Sequence, residues 1–176
     1  MKRQLKKIVC LALITSMILG QKTLKTTKNV TAKEKKDIKI AIDAGHQARG
    51  NFAMEPVGPG SSTRKAKVAG GATGVASHVP EYKLTLAVSK KLQKELKARG
   101  YKVYMIRTKN NVNISNKKRA QLANKSGADI YIRIHADSSN SRAVTGASGL
   151  YPSKANRYVS KLSAKSKKLS SCLLKS

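Results

Sequence analysis

Three short β-prone runs, separated by segments of helical period, constrain this chain most. The first runs from Ile38 to Asp43 and the second from Val103 to Arg107. In the third, Ile130, Ile132 and Ile134 alternate with Tyr131 and Arg133. Pro80 opens a helix between the first two runs. Leu84, Val88, Leu92 and Leu96 line one side of it at i+4 spacing, with lysines on the others. Lys97 and Arg99 suit its last turn, and Gly100 is its stop. Asn113 or Ser115 caps a second helix, which Gly127 ends. Strand, helix, strand, helix, strand is the pattern of an α/β domain. A single domain with a largely parallel sheet flanked by helices is therefore expected. Gln47 to Ser77, rich in Gly, Pro, Ser and Ala, reads as one long loop. Beyond the third strand, a short strand at Ser148–Tyr151 and a helical stripe of Tyr158, Leu162, Leu169 and Leu173 complete the pattern.

Charge narrows the partners. Lys and Arg number 37 against eight Asp and Glu, a formal net charge of +29 over 176 residues. Such a surface attracts nucleic acid, an anionic membrane or an anionic wall polymer. The N-terminus selects among these. Lys2, Arg3, Lys6 and Lys7 precede an apolar run from Ile8 to Leu19. That run is short for a membrane span and fits a signal peptide, with cleavage near Gly20 or Ala32. Residues 1–32 are thus read as signal and polar lead-in, 33–37 as a linker and 38–176 as the domain. Secretion argues against nucleic acid. So do the lack of a recognised nucleic-acid motif, the absence of Trp and the presence of one Phe. Contact with membrane is expected only through the signal segment. Cys10 lies in that segment, so its removal leaves Cys172 with no internal partner.

The chain has three histidines. His46 lies just past the first strand and His135 just past the third. Ligands of open parallel sheets gather at the carboxyl ends of strands, so both imidazoles are expected at one sheet edge. Glu81 stands in the first turn of the long helix. Its spacing to Leu84 and Val88 assigns it to the buried face, at the end facing that edge. Two His and one Glu match a catalytic zinc site with an open fourth position. A first-turn Glu also suits the helix dipole without any metal, and that reading stays open. His78 is expected to be structural or exposed. Glu55, the one carboxylate of the long loop, is an exposed loop charge by default.

Three segments carry a resemblance: Ile42-Asp43-Ala44-Gly45-His46, Pro80-Glu81 with its helix, and Ile132-Arg133-Ile134-His135-Ala136-Asp137. Together with Arg119 to Asp129, they resemble the zinc-dependent N-acetylmuramoyl-L-alanine amidases, over about Ile38 to Leu174. The resemblance implies a Zn2+ held by His46, Glu81 and His135. It implies hydrolysis of the amide between N-acetylmuramic acid and L-alanine in peptidoglycan, outside the cell or at the wall. Asp43 and Asp137 would support the site by holding loops or orienting imidazoles. The family also carries an acid–base glutamate on a later strand, and no residue up to Ser176 matches it. The domain is therefore expected to be C-terminally truncated and its activity impaired, with Glu55 the weak candidate for a substitute. The alternative is a non-catalytic, cationic, wall-binding remnant of an amidase. Anionic wall polymers are the expected further partners, and the chain is expected to be a monomer.

Overall fold

The apolar run after Ile38 becomes the central strand of a parallel sheet. The computed structural model describes residues 33–139, 141 and 143–175; the expected signal segment lies outside them. They divide between two compact units, one within Asn29–Asn140 and one within Ser141–Ser176.

In the first unit, a short 3-10 turn, Lys35–Asp37, precedes β1, Lys39–Ala44. Every residue of β1 after Lys39 is buried. A parallel strand covered on both faces needs a nearly continuous apolar run, here Ile40, Ala41, Ile42 and Ala44 with Asp43 the one charged exception. The chain then forms β2, Asn51–Pro56, and β3, Arg64–Val68, followed by α1, Glu81–Ala98, and β4, Lys102–Met105. Helix α2, Asn116–Lys125, and β5, Ile130–Ile134, complete the unit. Strand order in the main sheet is β4-β1-β5, all parallel. Ile42 stands opposite Met105 on one side and Ile132 on the other.

This order fixes the layers. The chain moves from β1 to β4 through α1, then returns past β1 to β5 through α2. Right-handed crossovers in opposite directions put the two helices on opposite faces. Side-chain alternation agrees. Ala41 packs with Ile106 and Ala123 on the α2 side, and Asp43, two residues on, meets Arg119 of α2.

Local signals account for the helix ends. Gly100 has φ +88°, and the amides of Gly100 and Tyr101 bond back to the carbonyls of Lys97 and Leu96. This is the paired closure of a Schellman motif. Ser115, rather than Asn113, caps α2; its Oγ accepts from the Lys118 amide at 3.1 Å.

Three expectations need correction. The segment Gln47–Ser77 is not a plain loop, because β2 and β3 pair in it as an antiparallel ribbon. Only Glu55 and Val68 of the ribbon are buried, so it lacks the apolar alternation that would have revealed it. Second, Leu84 and Val88 are 45% and 42% exposed. The buried face of α1 is Glu81, Thr85 and Ser89, with Leu86 beside it. Third, residues 148–151 form no strand.

In the second unit, a 3-10 turn at Ser160–Leu162 leads into α3, Ser163–Leu174. Ser163 is its one buried residue. Tyr158, Leu162 and Leu173 are each about half exposed, so much of the expected stripe is uncovered among the described residues. Cys172 is a free thiol. No described helix is long and apolar enough to cross a membrane.

Candidate metal centre

The carboxyl end of β1 is clamped before any ligand is considered. A parallel strand that ends inside the protein leaves carbonyls needing donors. Two buried arginines supply them. Arg107 donates from Nε to the Ala44 carbonyl at 2.9 Å and from Nη2 to the carbonyls of Gly45 and Tyr82 at 2.9 and 2.8 Å. Arg119 donates to Ala44 at 2.9 Å and to His46 at 2.8 Å. Three successive carbonyls, 44 to 46, are thus held by guanidinium groups.

Asp43 balances part of this charge. Fully buried, it accepts from Arg119 Nη1 and from the Tyr131 hydroxyl, with Arg133 Nε 3.4 Å away. Burial and the Asp43 charge both push the Tyr131 hydroxyl pKa up, so it stays a donor. Burial, then the charge of Arg119, pushes Arg107 down to about 10, against the pull of Asp43. Arg107 remains cationic at neutral pH.

On this anchored end stands His46, in left-handed backbone with φ +59°. Such a conformation is uncommon outside glycine and is held only where surroundings impose it. Here the Arg119 bond to its carbonyl helps impose it. His46 Nδ1 lies 2.9 Å from the Ala69 carbonyl. A carbonyl only accepts, so Nδ1 carries a proton, and in the neutral ring Nε2 offers its lone pair. That Nε2 is 3.2 Å from Glu81 Oε2.

Glu81 joins the set from the first turn of α1. Its side chain is 6% exposed. Oε1 accepts from the Ala136 amide at 2.8 Å, and Oε2 from the Ala72 amide at 3.0 Å. Burial raises its pKa, but these two amides, with His135 and His46, outweigh that and hold the carboxyl below its ordinary value. His135, just past β5, places Nδ1 3.0 Å from Glu81 Oε1. Burial lowers the His135 pKa first, and the charges of Arg133 and His46 add to this against the opposing pull of Glu81. A neutral imidazole is the form that ligates a metal. The two rings meet edge to face, with centroids 4.7 Å apart.

One ligand atom from each of His46, Glu81 and His135 lies within 4.8 Å of the others. The donor set, two imidazoles and a carboxylate, fits a divalent metal of the zinc type. Two glycines make room for it. A Cβ on Gly45 would meet His135 Cε1 and the Ile134 carbonyl at 2.6 Å. Gly71, at φ +85°, would place a Cβ 2.9 Å from the His46 ring and 3.0 Å from Glu81 Oε2.

The other singled-out residues lie elsewhere. His78 is exposed, with φ +52°. Asp137 is exposed. Asp43 contacts Arg119, Tyr131 and Arg133, and it reaches the His46 backbone through Arg119. Glu55 is not an exposed loop charge. It is 5% exposed on β2, and its Oε1 accepts from the Lys117 amide at the start of α2 at 2.9 Å. A carboxylate there complements the helix dipole. The sequence pattern assigns no role to Arg107, Thr85 or Gly71; an arginine at the end of a β-run is the available sign of the first.

Similarity to known proteins agrees with this architecture. The family model for N-acetylmuramoyl-L-alanine amidase matches residues 40–175. No curated protein matches the chain in a sequence search. Among solved structures, the N-acetylmuramyl-L-alanine amidase of Mycobacterium smegmatis superposes with a TM-score of 0.55 at 22% identity, covering 61% of this chain and 50% of that one. The apo form of the Mycobacterium abscessus enzyme gives 0.54 at 24% identity, covering 58% and 49%. The N-acetylmuramoyl-L-alanine amidase of Clostridium difficile 630 gives 0.51 at 30% identity, covering 72% and 58%. The chain thus spans about half the length of these structures. With the family model matched across most of the sequence, from the first residues of β1 through α3, the chain belongs to the N-acetylmuramoyl-L-alanine amidase family.

Proposed function

We propose that this chain acts on peptidoglycan as a zinc-dependent amidase, cleaving the amide between N-acetylmuramic acid and L-alanine. The observation that carries the reading is the convergence of His46, Glu81 and His135 from three different elements. These residues would hold Zn2+. When bound, the metal supplies a Lewis acid for the scissile carbonyl and makes water acidic enough to attack near neutral pH.

The chain's own residues prepare the site. The Ala69 carbonyl fixes the His46 tautomer and so the direction of its Nε2 lone pair. The amides of Ala72 and Ala136 keep Glu81 ionised and aimed. Arg119 and Asp43 hold the backbone that carries His46. Glu55 is engaged by the Lys117 amide at the start of α2, which disfavours it as the proton relay to the departing nitrogen. By family resemblance that relay is a glutamate on a later strand. Positioned acid–base groups contribute about 10²–10⁴-fold.

The formal charge of +29 favours adsorption to anionic wall polymers, consistent with action outside the cell. Turnover of purified muropeptide tests the reading. Residues 1–176 alone should release stem peptides slowly, and a chain extended by the homologous strand and its glutamate should be faster by about 10²-fold or more. Equal rates would remove the late glutamate from the mechanism. No release by either chain would refute the amidase reading.

A further inference from the structure

A cleft of about 490 Å³ opens one residue after His46, lined by Gln47, Arg49, Asn51, Phe52, Asn111 and Asn113 among others. Its walls are the loop after β1 with the start of β2, and the loop preceding α2. They are pinned together. The Ala48 amide bonds the Asn110 carbonyl at 2.9 Å, and Gln47 Oε1 accepts from the Ile114 amide at 3.0 Å. Asn51 Nδ2 donates across the cleft to Asn113 Oδ1 at 3.0 Å. Gln47 is 1% exposed, so the floor is built into the fold.

Phe52, the chain's one phenylalanine, is 74% exposed beside this floor. The ladder between β2 and β3 breaks register between Asn51 and Met54. The Ala53 amide turns back to Asn51 Oδ1 at 3.2 Å. Such a bulge re-aims side chains. Gly50 lets the ring lie against the backbone, since a Cβ there would sit 3.0 Å from Phe52 Cζ. An exposed aromatic face costs free energy in water unless something covers it. Of the primary amides around it, Gln47 and Asn51 are engaged within the fold, while exposed Asn111 and the Nδ2 of Asn113 remain to meet a ligand. An open apolar ring with convergent amides suits a ligand with one apolar face and a rim of hydroxyl and acetamido groups.

We propose that this cleft is a subsite for an N-acetylated sugar of the glycan strand, with a ring face on Phe52 and its polar rim on Asn111 and Asn113. The proposal rests on the peptidoglycan reading but is tested apart from hydrolysis. The probe is the neutral β-1,4 trimer of N-acetylglucosamine, which carries no peptide and is not drawn by the positive surface. The full chain should bind it saturably by calorimetric titration, with a Kd in the millimolar range or tighter. Phe52→Ala should weaken binding about tenfold, the loss of one good contact. Asn111→Ala should also weaken it, while zinc content and melting temperature stay unchanged in both variants. Failure to saturate by about 10 mM trimer, a free energy too small for a dedicated subsite, would overturn the proposal. So would a Kd indifferent to Phe52→Ala. Binding of a free stem tetrapeptide that is lost in Arg49→Ala, with no trimer binding, would make the cleft a peptide subsite instead. Trimer binding by a chain that hydrolyses no muropeptide would leave the subsite standing and count only against the amidase reading.

Discussion

Two faces of α1 invert the usual order of a surface helix. The face turned into the fold carries Glu81, Thr85 and Ser89 with Leu86 beside them, while Leu84 and Val88 are 45% and 42% exposed. The buried polar face is mostly partnered. Glu81 takes two backbone amides, and Thr85 Oγ1 donates to the Gly45 carbonyl at 2.9 Å and accepts from Arg107. On this face only Ser89 Oγ lacks a hydrogen-bond partner. Burying polar groups is costly unless they are hydrogen-bonded. This face is polar because it meets the end of β1, where carbonyls and prospective ligands need donors and acceptors. Along this helix the requirements of the site, more than apolar burial, decide which side turns inward.

The largest expected effect comes from breaking the clamp behind that face. Arg119→Met removes a fully buried guanidinium and leaves Asp43 with less compensation. Removing one partner of a buried ion pair costs about 3–5 kcal/mol. Urea unfolding of the variant should show a loss of that size; a loss under about 1 kcal/mol would mean that the clamp is not structural.

A smaller loss is expected on the helix itself. Thr85→Val keeps the shape but withdraws the hydroxyl from the Gly45 carbonyl and Arg107. The Gly45 carbonyl keeps its bond from Arg107, so the loss is that of a net hydrogen bond, about 0.5–1.5 kcal/mol. Thermal unfolding should register it, and an unchanged melting temperature would show that other donors replace the hydroxyl.

The smallest effect should follow from the outer face. Leu84→Gln with Val88→Gln changes two half-exposed positions. Surface changes of this kind fall within about ±0.5 kcal/mol each. If the pair destabilised the chain as much as Thr85→Val, the outer face would have to be covered in solution, and the contrast between the faces would disappear.

Much of this was legible in the sequence because backbone chemistry is local. Ile40 and Ile42 announce a buried strand, and Ser115, Gly100 and Gly127 mark helix ends through capping and left-handed backbone. His46 and His135 could be placed at one edge because strand ends in a parallel sheet share it. Other features depended on tertiary context. Leu84 and Val88 have helical spacing, but spacing cannot say which side the sheet takes. The ribbon of β2 and β3 buries too little to leave an apolar pattern. Glu55 looked like a loop charge because its partner, the start of α2, lies 62 residues away. The positions of Arg107 and Arg119 follow from the unmet carbonyls of residues 44 to 46, which only the folded strand end defines.

Zinc stoichiometry of the full chain decides whether His46, Glu81 and His135 form one metal site. Metal content would be measured by mass spectrometry after equilibration with Zn2+ and gel filtration, for the native sequence, His46→Ala, Glu81→Gln, His135→Ala and His78→Ala. One zinc per chain is expected in the native sequence and in His78→Ala. Loss of stoichiometric metal is expected in the other three, with folding checked by circular dichroism. Retention of one zinc by folded His46→Ala and His135→Ala, or its loss in His78→Ala alone, would contradict the assignment of the site.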